Sequence, residues 1–231
     1  GVKILKRKKY YSVYGNGLNS FRVKKKITKL YIGNSMTTGR LISGLCSTIP
    51  SKFYLYGDAS ANRRDFMRVI EPLERVGAQF HPRKKTLPLT MEGTSLPLAQ
   101  RHIETRGSSQ VKGLICLSAL STPGITIVEE LKKKSSRTHT EIFLKKIGCD
   151  IKFKQTKKSN LIYLRGQKNL HSFVYSVGND PSSACFLICL ALLTPGSKLT
   201  LPGIICNDTR IGFIKILRKM NGRIRIQNLK R

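Results

Sequence analysis

The chain repeats itself. LISGLCSTIPSKFYLYGD begins at Leu41, LICLSALSTPGITIVEE at Leu114 and LICLALLTPGSKLTLPG at Leu187, so successive starts differ by 73 residues (114−41 and 187−114). A period of this kind constrains the fold more than any single motif. Each copy is one supersecondary unit whose apolar face needs neighbouring copies to cover it. In every copy an apolar helix runs into a turn containing Pro50, Pro123 or Pro195. Proline stops a helix there because its ring clashes with the preceding turn and it has no N–H to continue the ladder. The turns lead into alternating or β-branched runs that predict strands at Phe53–Tyr56, Ile125–Val128 and Lys198–Leu201.

A second, amphipathic helix follows in each copy, at Arg64–Val76, His139–Ile147 and Thr209–Met220. Each ends beside a glycine (Gly77, Gly148 or Gly222), as helix C-termini prefer. Strand-like pieces come next, at Ala78–His81, Asp150–Lys154 and Arg223–Gln227, with further strands at Leu89–Glu92 and Leu161–Arg165. The pattern predicts an α/β protein of repeated β-α-β-α-β-β units. Residues 1–32 read as the tail of a preceding unit, with strands at Val2–Leu5 and Tyr11–Tyr14 and a turn at Gly15-Asn16-Gly17. The first helix of each unit is apolar nearly all round, which predicts helices buried among their own copies and sheets outside.

With 231 residues and 40% hydrophobic content the chain can bury a substantial core. It begins at Gly1 without an initiator Met and without an apolar signal region, and reads as a processed product or a fragment. The longest apolar run, Ala184 to Leu193, is 10 residues, where about 20 are needed to span a bilayer. A soluble, cytoplasmic protein is expected. The six cysteines form no CxxC pair, and Cys46, Cys116, Cys185 and Cys189 sit in apolar helical stretches, as reduced core thiols do. The four histidines are scattered, and no metal site is expected.

Lys and Arg total 43 against 12 Asp and Glu, a formal charge of +31. Such a field draws anionic substrates, acidic membranes or nucleic acid. The basic residues are spread along the chain, with runs at Lys6–Lys9, Lys24–Lys26 and Lys132–Lys134, and no zinc-finger, aromatic RNA-binding or basic-zipper spacing accompanies them. Non-specific nucleic-acid binding is the expectation that charge alone supports.

Small polar loops open the three apolar helices: Gly33-Asn34-Ser35, Gly107-Ser108-Ser109-Gln110 and Asp180-Pro181-Ser182-Ser183. A helix start offers free N–H groups and the positive end of the dipole, which suits phosphate or carboxylate. Ser109, and Asp180 followed by Pro181, also fit as caps. Arg40, Arg63, Arg64 and Arg137 lie near these loops, and a guanidinium can hold either anion through two parallel hydrogen bonds.

At these residues the chain resembles the 5-enolpyruvylshikimate-3-phosphate synthase family. GNSMTTGR (Gly33–Arg40) is similar to the family's phosphoenolpyruvate motif, and GDASANRRDFMRVIEPLERVGAQ (Gly57–Gln79) to its GDxSxxxRPM…PLxxMGA segment. GSSQVKGLICLSALSTPG (Gly107–Gly124) resembles the shikimate-3-phosphate loop and its helix, and SRTHTE (Ser136–Glu141) resembles SRDHTE. NDPSSACFLICLALLTPGS (Asn179–Ser197) and NDTR (Asn207–Arg210) are similar to GDPSSA…LLxPGS and NPTR.

The resemblance implies transfer of the enolpyruvyl group of phosphoenolpyruvate to the 5-hydroxyl of shikimate-3-phosphate, with release of phosphate and without a cofactor. It implies an inside-out α/β arrangement of two domains with the site between them, monomeric at full length. Residues 1–176 would be most of the shikimate-3-phosphate-binding domain and 177–231 the first unit of the second domain. Ser108, Ser109, Gln110 and Arg137 would hold shikimate-3-phosphate, with Ser136 beside them in sequence. Met36, Arg40, Arg64 and Gln110 would face phosphoenolpyruvate. The family's Lys-Ser motif, catalytic aspartate and Lys-Glu-Ser-Asp-Arg motif have no counterpart here, so catalytic residues are expected in segments outside this chain. Glu129, Glu130 and Glu141 read as surface residues.

Several positions depart from the pattern. Met36 replaces a small residue and is expected to crowd the phosphoenolpyruvate pocket and exclude glyphosate. Asp65 replaces a proline, Thr138 an aspartate, Asn179 is inserted, and extra lysines precede Ser135. Three other readings stay open. One is the related transferase acting on UDP-N-acetylglucosamine, whose loop cysteine is absent from Asp58–Arg63. The others are an inactive remnant and a basic nucleic-acid-binding module.

Overall fold

The computed structural model describes residues 2–21 and 23–229. It divides into two compact units, Gly1–Ser172 and Phe173–Arg231. The first opens with an antiparallel pair, β1 (Lys3–Lys6) and β2 (Tyr11–Tyr14). Two copies of the repeat follow. In the first, β3 (Ile27–Tyr31), α1 (Met36–Cys46) and β4 (Lys52–Tyr56) form a parallel crossover. The short α2 (Ala59–Asn62), α3 (Met67–Val76), β5 (Gln79–His81) and β6 (Leu89–Glu92) complete it. In the second, β7 (Arg101–Glu104), α4 (Ser109–Ala119) and β8 (Ile125–Leu131) repeat the crossover. A 3-10 turn at Lys132–Lys134, α5 (His139–Lys146), β9 (Asp150–Gln155) and β10 (Ser159–Arg165) complete the copy.

The two sheets have the same strand order, β3-β4-β6-β5 and β7-β8-β10-β9, with one parallel pair and two antiparallel pairs each. Helices α1 and α4 are offset by 73 residues at both ends (109−36 and 119−46). The Ile27–Tyr31 strand lies within the stretch read from sequence as the tail of a preceding unit. Its parallel ladder to β4 makes it the first strand of the unit that follows.

Small residues let the two apolar helices meet. A Cβ added at Gly44 would lie 2.3 Å from the Leu114 carbonyl oxygen, and one at Gly113 2.9 Å from Leu41 Cδ2. The α1 and α4 backbones therefore cross in direct contact, as the all-round apolar pattern predicts. Around them Leu55, Phe66, Ile70, Leu73, Leu114 and Ile115 are fully buried. Each such side chain contributes about 1.5–3 kcal/mol from burial. The amphipathic helices end as expected: Gly77 (φ 112) and Gly148 (φ 96) take the left-handed conformation that closes α3 and α5.

The last β–helix junction is also copied. Gly93 N–H donates to Ser51 O and Thr94 N–H to Ser47 O; 73 residues on, Gly166 N–H donates to Gly124 O and Gln167 N–H to Leu120 O. A Cβ at Gly93 would meet Cys46 O at 2.3 Å, and one at Gly166 would meet Ala119 O at 2.3 Å. These glycines seat the end of each unit against the C-terminus of its buried helix.

The second compact unit carries α6 (Pro181–Leu193) and α7 (Gly212–Lys219). Three expectations are corrected here. The Lys198–Leu201 and Arg223–Gln227 runs are not strands. A β-pattern becomes a strand only where another backbone takes its hydrogen bonds, and the pairing in this unit, among the described residues, is the Asn179–Ile204 bridge. Helix α6 is not buried: Phe186 is 79% exposed and Leu193 82%. Cys185 and Cys189 are accordingly half-exposed, whereas Cys46, Cys116 and Cys149 are buried. The left-handed residue beyond α7 is Asn221 (φ 65) rather than Gly222. No helix among the described residues is long and apolar enough to cross a membrane.

Candidate functional site

In both repeats of the first unit, the loops that follow the parallel strands carry the polar residues, the usual location of ligand sites in parallel α/β crossovers. Ser35 caps α1, its hydroxyl accepting from Thr38 N–H at 3.2 Å. Ser108 caps α4, accepting from Val111 N–H at 3.3 Å, so Ser108 is the cap and Ser109 the first helical residue. That differs from the expected Ser109 cap. The Ser109 hydroxyl has no hydrogen-bond partner among the described residues.

Gln110 joins the two repeats. Its Oε1 accepts from Arg40 Nη1, and its Nε2 donates to Thr37 Oγ1 at 2.7 Å. Arg40 Nη2 also donates to the Asp65 carbonyl at 3.4 Å. On the other side of Arg40, Arg64 Nη2 donates to Asn34 Oδ1 at 3.1 Å and to Ser60 Oγ at 3.4 Å. Asn34 in turn donates to Asp58 Oδ2 at 2.7 Å. Asp58 caps α2 through Ala61 N–H at 2.7 Å. Its carboxyl is held below the usual range by that backbone bond first, then by Asn34.

Three guanidinium groups crowd this corner. Burial lowers the Arg40 pKa, the positive charges of Arg68 and Arg64 lower it further, and the nearby Asp65 carboxylate opposes them. Among the described residues, the Nε atoms of Arg40 and Arg68 are buried without a hydrogen-bond partner. Like charges held together with unused donors favour a bound anion. Asp65, which stands where the family has proline, accepts from Met67 N–H at 2.8 Å and so starts α3 through a side-chain bond. Met36 is buried and packs its side chain into the hydrophobic core.

The Arg137 loop lies against the Ser108 loop. A Cβ on Gly107 (φ +67) would sit 2.7 Å from the Lys134 carbonyl oxygen, so the segment leading to Ser136 and Arg137 touches the segment leading to α4. Arg137 is exposed, with no side-chain partner among the described residues. Ser136 is buried and donates from both its N–H and its hydroxyl to Glu130 Oε1. The structure thus brings together Arg40, Arg64 and Gln110, and separately the Ser108–Gln110 and Arg137 loops. Arg63 is exposed.

The family model for EPSP synthase (3-phosphoshikimate 1-carboxyvinyltransferase) matches residues 1–230. The chain belongs to the EPSP synthase family. It is 38% identical over 219 residues to the 3-phosphoshikimate 1-carboxyvinyltransferase of Ruegeria sp. (strain TM1040), covering 94% of this chain and 48% of that protein. It is 36% identical over 228 residues to that of Ruthia magnifica, covering 99% of this chain and 51% of the relative. The solved EPSP synthase of Acinetobacter baumannii superposes with a TM-score of 0.84 at 32% identity, over 100% of this chain and 51% of that structure. The chain therefore spans about half the length of the EPSP synthases it matches.

Sequence reasoning missed the acidic side of the site. Glu130 and Glu141, read as surface residues, are each 2% exposed, and Glu104 is 3% exposed. Glu129 does face outward, paired with Arg101 at 2.7 Å. The available signal was alternation along β8: if Glu129 points out, Glu130 points in. The three buried thiols are poor nucleophiles, since burial pushes Cys46 and Cys116 up to about 12 and Cys149 to about 11. Among the described residues no group of His, Cys, Asp and Glu could hold a metal ion.

Proposed function

We propose that this chain supplies the shikimate-3-phosphate side of an enolpyruvyl transferase site, and part of the phosphoenolpyruvate side. The observation that carries the reading is Gln110, which binds Arg40 while standing next to Ser109 at the head of α4. It sets an arginine cluster beside a helix start whose serine hydroxyl has no hydrogen-bond partner among the described residues. Ser108, Ser109 and Gln110 then receive the substrate phosphate and hydroxyls, and Arg137 closes on them from the neighbouring loop. Arg40 and Arg64 face the carboxylate and phosphate of phosphoenolpyruvate, with Met36 flooring the pocket.

The reaction joins two anions, so their repulsion has to be offset by fixed positive groups before the 5-hydroxyl can reach the enol carbon. These residues perform that part. The proton donor and base for addition and for loss of phosphate come from segments of the enzyme outside this chain. Residues 1–176 form most of the shikimate-3-phosphate-binding domain in this reading, and 177–231 begin the second, in a cytoplasmic protein. The +31 charge serves as a field for two anionic substrates rather than as a nucleic-acid interface.

Calorimetric titration of the chain with shikimate-3-phosphate tests the reading. Saturable binding is expected, abolished by Arg137→Ala or Ser109→Ala, with negligible turnover by this chain alone. Binding no tighter than that of inorganic phosphate would overturn it.

A further inference from the structure

The chain has only 12 acidic residues against 43 basic ones. Among the described residues three acids are buried, Glu104, Glu130 and Glu141, and they gather in one repeat. Glu104 and Glu130 are register partners on the parallel strands β7 and β8. Glu104 Oε1 accepts from the N–H groups of Arg106 at 2.8 Å and Ser108 at 3.4 Å, the loop that opens α4. Glu130 Oε1 accepts from Ser136, the residue before Arg137. Lys112, 0% exposed and on α4 two residues after Gln110, donates to Glu130 Oε2 at 2.9 Å and Glu141 Oε1 at 2.6 Å. Glu141 lies on α5, four residues after Arg137.

The fold does not require these charges. The first repeat builds a sheet of the same strand order and the same crossing helix with Gly57 in place of Glu130 and Gly39 in place of Lys112, each 73 residues earlier; α3 and α5, whose closing glycines Gly77 and Gly148 are 71 residues apart, put the buried Ile70 in place of Glu141. Opposite Gly57, one step beyond the Tyr31–Tyr56 pair, stands Ile32. Ile32 fills the space over Gly39, where an added Cβ would meet its Cδ1 at 2.7 Å. An apolar side chain against a glycine is therefore enough for the unit to pack. Buried ion networks of this kind contribute little net stability compared with apolar replacements, so their presence in one copy alone calls for another role.

We propose that Lys112, Glu104, Glu130 and Glu141 are positioning residues that fix the Ser108–Gln110 loop and the Ser136–Arg137 loop relative to each other. Each loop hangs by backbone N–H groups from one of two neighbouring carboxylates, and Lys112 ties the Glu130 side to both α4 and α5. The inference rests on the shikimate-3-phosphate reading for its consequence, but not for its geometry.

The test compares the chain with a charge-free variant of matched size, Lys112→Met with Glu130→Gln and Glu141→Gln, and with Glu104→Gln. Thermal unfolding, amide hydrogen exchange and shikimate-3-phosphate titration are read on each. Expected are an unfolding temperature no lower than that of the parent and amide exchange at least tenfold faster. The faster amide is Ser136 in the triple variant, and Arg106 and Ser108 in Glu104→Gln, with α1 unchanged. Shikimate-3-phosphate should bind at least tenfold more weakly to both. Unchanged exchange at those amides, or unchanged affinity in a variant that folds, overturns the proposal. So does loss of the folded state in both variants, which would make the network structural. If the parent chain itself fails to bind shikimate-3-phosphate, the functional reading falls, and the exchange data alone decide the positioning role.

Discussion

Glu104 and Glu130 face each other across β7 and β8, both buried, and each holds the loop that carries one half of the proposed phosphate site. Two neighbouring carboxylates in a low-dielectric interior repel, so His102, 3.4 Å from Glu104 Oε2, the backbone N–H donors and the Lys112 ammonium on Glu130 are what make the pair tolerable.

The arginine corner should trade stability against binding. Arg40 is held below its ordinary pKa by burial and by the charges of Arg68 and Arg64. Arg40→Met relieves that repulsion while losing the bonds to Gln110 and the Asp65 carbonyl. Urea unfolding should show a change below about 1 kcal/mol. Affinity for phosphoenolpyruvate should fall about tenfold or more, equivalent to about 1.4 kcal/mol. A large stability loss with intact binding would contradict the assignment of Arg40 to the anion site.

Helix crossing is set by Gly44. Any side chain there meets the Leu114 backbone, which cannot rotate away as a flexible side chain could. Gly44→Val should destabilise the chain by about 1–3 kcal/mol or more through overpacking. A denaturation midpoint equal to that of the parent chain would show that α1 and α4 do not cross as described.

The same logic applies at the unit ends. Gly93→Ala and Gly166→Ala press a methyl group against carbonyl oxygens of the turns that follow α1 and α4, at 2.2 Å (Ile49) and 1.9 Å (Thr122). Both should lower the unfolding midpoint by similar amounts, since the two junctions are built alike. A penalty at one position only would break the structural equivalence of the repeats.

At the start of α6, Asp180 accepts from the N–H groups of Ser182 and Ser183 and pairs with Arg210. These bonds, the Ser183 backbone bond first, bring its carboxyl down from 3.8 to about 2. A depressed carboxyl stabilises above its unfolded value and loses that contribution as pH falls through its folded value. The cap should therefore persist below pH 3.8 and be lost near pH 2. Amide chemical shifts of Ser182 and Ser183 followed against pH should titrate near 2, and Asp180→Asn should remove the transition. A midpoint at the ordinary carboxylate value would refute the cap.

Helix α6 exposes Phe186, Leu190 and Leu193. Phe186→Ser with Leu190→Ser should change the stability of this chain by no more than about 0.5 kcal/mol per site. Sedimentation at rising concentration should show less self-association than in the parent chain. A pronounced loss of stability would mean that the helix is packed after all.

The sequence by itself determined the repeat and the order of the main elements in the first two copies, because these follow from local periodicity and proline stops. Leu89–Glu92 and Tyr11–Tyr14 were legible to the residue. So were the loops that hold Ser35 and Ser108, since a polar loop ahead of an apolar helix is a local signal. Tertiary structure decided the rest. Whether Lys198–Leu201 becomes a strand depends on a partner backbone, which no local pattern supplies. Whether α6 is buried depends on a second helix crossing it, although its sequence is as apolar as that of α4. The burial of Glu130 and Glu141 depends on Lys112 arriving from α4, 18 and 29 residues away. Charge neutralisation between side chains far apart in sequence is a property of the packed core, and it buried residues that look like surface acids.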